Sequence, residues 1–353
     1  MHLWAAFAVH VPALANPSPW GDETRPYYAR FDTGWYARIA DPGYGPPPAP
    51  GAESEHAFFP FYPLLGRALG ALTRLPAIWA LSLLSWIAFV VALPIFGEEC
   101  RERLGDERAH GPLPFLLLYP VAFFFAAAYT ESLFLLLLLL AFRFVRTGRA
   151  GPAVLVGVLL GLTRAPAAAV GPALAIAWWA RFGRQRRGPL PALALAPLAG
   201  VLAYVFGIGW WKGEPGLFFR SMSAWAHRST SPLEGIAGFA AQQVELFSSG
   251  VLLKHPGAIA PLAHFTLFAV LAVVQARRRR FSDAVWTAGV LGLAVLTGTT
   301  NGVPRYTATI FPGHVLLFEL LEGRPALRRA ALALSAALLL LRSALFVNWH
   351  FVS

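Results

Sequence analysis

Apolar residues fall in blocks along this chain, and short polar segments separate the blocks. Four of the blocks have the length of a membrane span: Ile78–Phe96, Pro189–Trp210, Ala258–Ala276 and Ala330–Val347. A helix of about 20 apolar residues crosses the hydrocarbon core of a bilayer. The blocks lack the two-residue alternation that the strands of a membrane barrel would need. The pattern therefore predicts an all-α polytopic membrane protein whose spans are helices.

Composition supports this class, and the placement of charge refines it. Hydrophobic residues make up 57% of the 353 positions and charged residues 13%, whereas a soluble chain carries about 25% charged residues. The formal net charge of +11 would also suit a nucleic-acid binder. However, most basic residues lie in five short segments between apolar blocks, which the positive-inside rule assigns to the cytoplasm. These are Arg101/Arg103/Arg108, Arg143/Arg146/Arg149, Arg181/Arg184/Arg186/Arg187, Arg277–Arg280 and Arg324/Arg328/Arg329. We therefore expect membrane lipids as partners and no nucleic acid.

The remaining connections are longer and richer in aromatic residues, glycine and proline, so we expect them to face outward. They are residues 16–75, 211–256 and 298–306. They hold no Asn-x-Ser/Thr acceptor, because proline follows Asn16, and this favours a bacterial cell membrane. The only cysteine, Cys100, lies on the predicted cytoplasmic side, so no disulfide is expected. No linker separates a second domain, and we expect one domain over residues 1–353.

The N-terminal stretch Leu3–Ala15 is apolar but too short to span a bilayer. Two interpretations remain open. It is either a signal peptide ending at Ala13-Leu14-Ala15 or a first span whose start is missing.

The outward connection 211–256 carries Trp225, His227 and Arg228 but no recognisable motif.

Two apolar stretches have lengths that fit neither one span nor two. About 33 residues separate His110 from Phe142, whereas one span needs about 20 residues and two need about 40. Since both flanking segments are predicted to be cytoplasmic, two short helices should meet at Tyr129-Thr130-Glu131. The stretch Ala150–Ala180 repeats this geometry, with Arg164 at its middle. An ionised group inside a membrane costs about 2.5–3.5 kcal/mol and usually lines a polar cavity. Alternatively, Glu131 and Arg164 pair only to hold helices together.

The first outward connection carries the second group of informative residues. Asp32 precedes a run compatible with a helix, so its simplest role is an N-cap whose carboxylate accepts from a backbone N–H. Asp41-Pro42-Gly43 is typical of a turn. The stretch Phe58–Leu72 is predicted to be an amphipathic helix on the membrane surface. The aromatic residues Trp35, Tyr36 and Tyr44 are typical of the membrane interface.

Five short motifs follow one another between residues 30 and 312. They are Arg30–Tyr44, Phe59–Leu64, Ala128–Phe134 after Pro120, Gly161–Arg164, and Pro304–Tyr306 with Phe311-Pro312. In this order they resemble the PIG-V-like (GPI mannosyltransferase 2-like) branch of the GT-C glycosyltransferases. That branch usually has tryptophan at the position of Phe31. The resemblance implies a GT-C-type bundle of about 10–11 transmembrane helices, with a long first outward loop that carries amphipathic surface helices.

The resemblance also implies a reaction. A sugar, expected to be mannose, would move from a polyprenyl-phosphate donor to an acceptor hydroxyl on the outer face of the membrane, with inversion at C1. Asp32 matches the family's essential aspartate and is the candidate general base. The acceptor is a glycolipid, a polysaccharide or a protein, and the sequence does not distinguish among these three classes of acceptor.

Other residues are candidates for binding the donor phosphate or sugar. Guanidinium groups suit phosphate because they donate two parallel hydrogen bonds, which makes Arg164 and Arg305 candidates. For Arg305, snorkelling to lipid phosphates is the alternative. Glu131 would orient Arg164 or bind sugar hydroxyls. The full donor set is Arg30, Trp35, Tyr129, Glu131, Arg164, Arg305 and Tyr306, with His56, Tyr62 and Arg38 as further candidates. The leaving group is a lipid monophosphate and the sequence holds no metal-ligand cluster. We therefore expect that the reaction needs neither a metal nor a cofactor.

Two other classes of protein would share part of this pattern. A secondary transporter or lipid flippase also buries charges in a polytopic bundle, although the two halves of this chain do not match each other. A non-catalytic membrane subunit of a glycosylation complex would keep the hairpins but would not need Asp32.

Overall fold

The computed structural model describes residues 2–10, 26–224, 231–248, 259–298, 300–350 and 352. Within these ranges the chain is helical and holds no strand. It forms two compact units. The described residues of 1–43, 61–139 and 314–352 form the first unit, and those of 44–60 and 140–313 form the second.

The described residues form sixteen α-helices. In chain order they are α1 (His2–Ala8), α2 (Thr33–Ala40), α3 (Phe61–Thr73), α4 (Ala77–Leu104), α5 (Leu113–Leu117), α6 (Glu131–Arg146), α7 (Ala150–Gly161), α8 (Val170–Phe182), α9 (Leu190–Trp211), α10 (Leu217–Ser223), α11 (Pro232–Ser248), α12 (Ile259–Arg277), α13 (Phe281–Leu296), α14 (Val303–Ala308), α15 (Phe311–Leu321) and α16 (Pro325–Val347). Short 3₁₀ segments cover Glu55–Ala57, Asp106–Arg108, Ala122–Phe125, Ala165–Ala169 and Gly183–Arg186.

Four described helices are long and apolar enough to cross a membrane, by length and composition. They are α4, α9, α12 and α16, and they contain or closely match the four predicted blocks. Helices α7, α13 and α15 are apolar but shorter. The class of a helical membrane protein therefore agrees with the sequence, while the total of 10–11 spans stays a prediction.

Both predicted hairpins break where the sequence indicated. Helix α6 begins at Glu131, and Arg164 lies in the break between α7 and α8 with an extended backbone (φ −162°, ψ 147°). The first limb of the first hairpin is not one helix, however. It consists of the five-residue α5 and a 3₁₀ turn. Proline explains this difference, because Pro120 has no amide hydrogen and disfavours helix at the residue before it.

Within the first unit, the two ends of α16 lie beside different parts of the chain. Near its start, Arg108 donates to Glu322 (Nε to Oε1 2.8 Å), which joins two of the segments predicted to be cytoplasmic. At its other end, Arg30 of the first outward loop donates to the carbonyl of Val347 (3.0 Å). A 23-residue helix is about 34 Å long. The segments predicted to be cytoplasmic thus lie at one end of α16 and the first predicted outward loop at the other, while the orientation in a membrane stays a prediction.

The predicted surface helix corresponds to α3. Its residues Tyr62 and Gly66, one turn apart, are buried, whereas Leu64 and Leu72 are exposed. Arg67 reaches back to the end of α2 and donates to the carbonyls of Ala40 (2.6 Å) and Ile39 (3.2 Å). A guanidinium that binds the last carbonyls of a helix satisfies groups that have no partner inside the helix. Helix α3 is thus tied to the helix that follows Asp32.

Parts of the two remaining sequence predictions lie outside the described residues. In the outward connection 211–256 the structure describes α10 and α11, while Trp225, His227 and Arg228 are outside the described ranges. At the N-terminus, α1 is described, and Ala13-Leu14-Ala15 are outside. The side chain of Trp4 donates to the carbonyl of Leu340, so α1 lies against α16.

Candidate active site

Asp32 occupies the N-cap position of α2 and is half-buried. Its backbone is helical (φ −55°, ψ −19°), and its side chain makes no capping hydrogen bond, whereas N-cap residues usually have an extended backbone. The interpretation of Asp32 as a side-chain N-cap is therefore wrong. N-capping by the side chain therefore does not account for the aspartate at this position.

The residue before Asp32 has an uncommon backbone conformation. Phe31 has φ +51°, a region that aromatic residues rarely adopt. Its ring is held by Phe346 and by Trp349, each with a centroid distance of 5.5 Å. Backbone strain of this kind costs about 1–3 kcal/mol and collects at functional sites. The first unit therefore stabilises a strained loop that fixes the position of Asp32.

Tyr129 joins two motifs that are far apart in the sequence. Its hydroxyl donates to the carbonyl of Arg30 (2.9 Å) and accepts from the backbone N–H of Asp32 (3.2 Å). The ring is buried and lies edge-on to Tyr36, with a centroid distance of 6.2 Å. The hairpin motif thus holds the loop of Asp32 through main-chain atoms, and it leaves the carboxylate out of these bonds.

A second set of hydrogen bonds holds the backbone of Tyr129 in place. The hydroxyl of Tyr62 lies 2.9 Å from the carbonyl of Leu81 and 2.8 Å from Oγ of Ser85. Ser85 in turn donates to the carbonyl of Tyr129 (3.1 Å). Burial raises the pKa of Tyr62 well above its usual value, so the phenol stays protonated. These bonds give Tyr62 a positioning role.

Sequence reasoning missed Ser85. It lies in α4, within a block that was interpreted only as a membrane span. The signal that could have found it is a small polar residue in an apolar span, since such residues often hydrogen-bond between helices.

Four other candidate residues lie in the first unit. Arg30 donates to backbone carbonyls, and its guanidinium lies 4.9 Å from the ring centroid of Trp349. The guanidinium of the exposed Arg38 lies 5.2 Å from the ring of Trp35. Glu131 is fully buried as the first residue of α6, where the positive end of the helix dipole favours a carboxylate. Sugar or phosphate binding by these residues stays a prediction.

The second unit brings together the other two motifs. The guanidinium of Arg164 lies 5.1 Å from the ring centroid of Tyr306, within range of a cation–π interaction. Arg164 is buried and Arg305 is half-buried. Arg305 lies inside the short helix α14, whereas the sequence analysis placed it in the connection 298–306. Pro304 in the first turn explains this, because proline is favoured at the start of a helix.

His56 lies in a polar cluster of the second unit. Its ring is fully buried, and its Nδ1 is 3.4 Å from Oγ of Ser54. The hydroxyl of Tyr204 donates to its carbonyl (2.9 Å). Burial lowers the pKa of His56, and the neighbouring Glu55 opposes this shift. The imidazole is therefore neutral at neutral pH, and its role at the site stays a prediction.

The candidate base and the candidate phosphate ligands belong to different units. Asp32, Tyr129 and Glu131 are in the first, while Arg164, Arg305 and Tyr306 are in the second. Their convergence on one substrate stays a prediction. Among the described residues, no group of three or more His, Cys, Asp or Glu side chains could hold a metal ion.

No protein-family model, curated protein or solved structure matches the chain. Over the residues that the structure describes, the fold defines a class: a helical protein with four helices able to span a membrane by length and composition.

Removing the Tyr129 hydroxyl should weaken the loop of Asp32. In Tyr129→Phe the ring remains, but the Arg30 carbonyl and the Asp32 amide lose their partner. A lost buried partner costs about 1–3 kcal/mol, so we expect a lower Tm on thermal unfolding in nanodiscs. The exposed Tyr27 provides the control, and Tyr27→Phe should leave the Tm unchanged. Equal Tm values for both variants would contradict the assigned role of Tyr129.

Proposed function

We propose that this protein is a membrane glycosyltransferase that moves a sugar, expected to be mannose, from a polyprenyl-phosphate donor to an acceptor hydroxyl. The observation that carries the proposal is the arrangement of Asp32. Its backbone is fixed by Tyr129 and by the strained Phe31, and its carboxylate does not cap α2. Fixing the backbone of an acidic residue in this way favours a chemical role, because a catalytic group must be held in one geometry.

The proposed step has a simple balance of bonds. The acceptor oxygen forms a bond to C1 of the sugar while the bond from C1 to the phosphate oxygen breaks, with inversion at C1. Asp32 accepts the proton of the acceptor hydroxyl and later releases it to water. The phosphate departs with the electron pair, and its added charge is stabilised by the guanidinium groups of Arg164 and Arg305.

A lipid-linked donor suits the class of fold. A prenyl chain partitions into the hydrocarbon core, so a protein with membrane-spanning helices reaches the phosphate of a prenyl phosphate at the membrane surface. Proposed partners are therefore the polyprenyl-phosphate sugar, membrane lipids, and a glycolipid, polysaccharide or protein acceptor. The proposed location is the bacterial cell membrane with the site facing outward, as the distribution of basic residues favours.

The test is transfer by the purified full chain in nanodiscs. Radiolabelled polyprenyl-phosphate mannose is added with a membrane extract as acceptor, and the label is followed into a covalent product. Labelled product above that of empty nanodiscs supports the proposal. Label that crosses a liposome bilayer without a covalent product would instead indicate a transporter or flippase. Transfer that appears only when a second membrane protein is added would indicate a non-catalytic subunit.

A further inference from the structure

A buried arginine lies in the outward part of α16, outside the residues discussed so far. Arg342 is 9% exposed, and its Nη1 has no hydrogen-bond partner among the described residues. It forms no ion pair within the described chain; its electrostatic partner there is Tyr119. A guanidinium buried without a counter-charge is costly. The guanidinium of Arg342 therefore has hydrogen-bonding capacity that the described residues do not use.

The side chain faces protein rather than lipid. Leu339, Arg342, Ser343 and Phe346 are all buried, and their spacing places them on one face of the helix. Leu334 and Leu341 are 62% and 51% exposed. An arginine that snorkels to lipid headgroups would lie on the exposed face. Snorkelling therefore does not explain Arg342.

Its depth is fixed by contacts within the first unit. Helix α16 starts three residues after Glu322, on the predicted cytoplasmic side, and ends at Val347, which accepts from Arg30. Arg342 precedes Val347 by five residues, or about 7.5 Å of helix. It lies about one and a half turns below the loop that carries Asp32.

Two more polar side chains complete the neighbourhood. Tyr119 is buried and its ring lies edge-on to His314, with a centroid distance of 5.0 Å and an interplanar angle of 81°. Ser335 of α16 donates to the carbonyl of Leu118 (2.8 Å), which holds the segment of Tyr119 against the same helix. The site thus combines a fixed guanidinium, a phenol and an imidazole, and its net charge suits an anion.

We propose that Arg342 binds the phosphate group of a membrane-embedded lipid phosphate, with Tyr119 beside it. Guanidinium favours phosphate because its planar fork donates two parallel hydrogen bonds. A site at the level of a membrane-spanning helix suits a phosphate carried on a lipid, because a free phosphate ion does not partition into the bilayer. Identifying this lipid with the sugar donor, or with its prenyl monophosphate product, rests on the function proposed above.

The experiment measures binding to the full chain in phosphatidylcholine nanodiscs, with farnesyl phosphate as probe and farnesol as its uncharged counterpart. We expect Arg342→Gln to weaken farnesyl phosphate binding about tenfold or more, the effect of losing a hydrogen bond to a charged group. Binding of farnesol should not change. The matched control is Arg329→Gln, an exposed arginine near the other end of the same helix, which should bind as the wild type does.

Thermal unfolding separates binding from a purely structural role. Since the unpaired charge is costly in the ligand-free protein, Arg342→Gln should keep or raise the Tm without ligand and lose the rise in Tm that farnesyl phosphate produces. A lower ligand-free Tm with unchanged affinity for farnesyl phosphate would overturn the proposal. If Arg342→Gln fails to fold, Arg342→Lys keeps the charge without the fork and should give intermediate affinity.

A second arm identifies the source of the phosphate. If phosphatidylglycerol in the nanodisc displaces farnesyl phosphate, phosphate binding at Arg342 is supported and its assignment to the sugar donor is overturned. The arms also separate this inference from the proposed function. Normal sugar transfer with unchanged farnesyl phosphate binding in Arg342→Gln would overturn the inference alone. Loss of farnesyl phosphate binding in Arg342→Gln, with no transfer activity in the wild-type protein, would overturn the proposed function alone.

Discussion

Replacing Asp32 by asparagine is expected to lower the turnover of sugar transfer by about 10²–10⁴, the contribution of a positioned general base. Asparagine has nearly the same volume but cannot accept the proton of the acceptor hydroxyl. The main-chain bond between the Asp32 amide and Tyr129 does not involve the carboxylate, so the loop should keep its conformation. The measurement is kcat for transfer from polyprenyl-phosphate mannose in nanodiscs, together with the KM for the donor.

The pattern of the two kinetic constants is the decisive result. Loss of a base acting in the transition state lowers kcat and leaves donor binding unchanged. Asp41 lies in the turn after α2 and is exposed, so Asp41→Asn is the matched control and should retain wild-type activity. An Asp32→Asn protein that keeps more than a tenth of the wild-type kcat would remove the base assignment.

The second large effect is expected at Arg164. Replacing it by glutamine removes the cation proposed to meet the departing phosphate, and removal of one such stabilising group typically costs about 10²–10³ in kcat. Arg164→Lys should recover part of this loss, because lysine keeps the charge but not the planar fork. The same transfer assay measures both variants.

Two checks accompany this prediction. Arg187 lies in a basic segment predicted to be cytoplasmic and is exposed, so Arg187→Gln should transfer sugar at the wild-type rate. The cation–π contact with Tyr306 is worth about 0.5–2 kcal/mol, so a small fall in Tm is expected for Arg164→Gln. Wild-type kcat in a folded Arg164→Gln protein would exclude Arg164 from the reaction.

The long helices could be predicted from the sequence because a membrane imposes a length on them. The four blocks of apolar residues are found within α4, α9, α12 and α16 or close to their bounds. The breaks at Glu131 and Arg164 were also predictable, because each apolar stretch is too long for one span and too short for two, and both of its flanking segments are predicted to be cytoplasmic. The break in the first limb of the hairpin is explained by Pro120, a local signal that a count of apolar residues does not detect.

The supporting contacts of the candidate site could not be predicted in the same way. The link from Tyr62 through Ser85 to Tyr129 depends on three segments meeting in space, and no spacing in the sequence encodes that meeting. The left-handed backbone of Phe31 is likewise imposed by the rings packed around it, since the sequence offers no glycine there. Arg342 did carry a sequence signal, because it is a charge within an apolar block. Its position near the end of that block, however, is also typical of an arginine at the membrane interface.

Helix α3 and helix α2 are joined through the two carbonyls that Arg67 binds. If α3 lies on the membrane surface as predicted, a change in its depth in the lipid would move α2 with it. The residues that follow Asp32 would then be displaced. On the proposed function, the rate of sugar transfer would therefore depend on the thickness and lateral pressure of the surrounding bilayer. Detergent micelles, which lack a flat surface, would then leave the carboxylate misplaced even in a chain whose helices are intact.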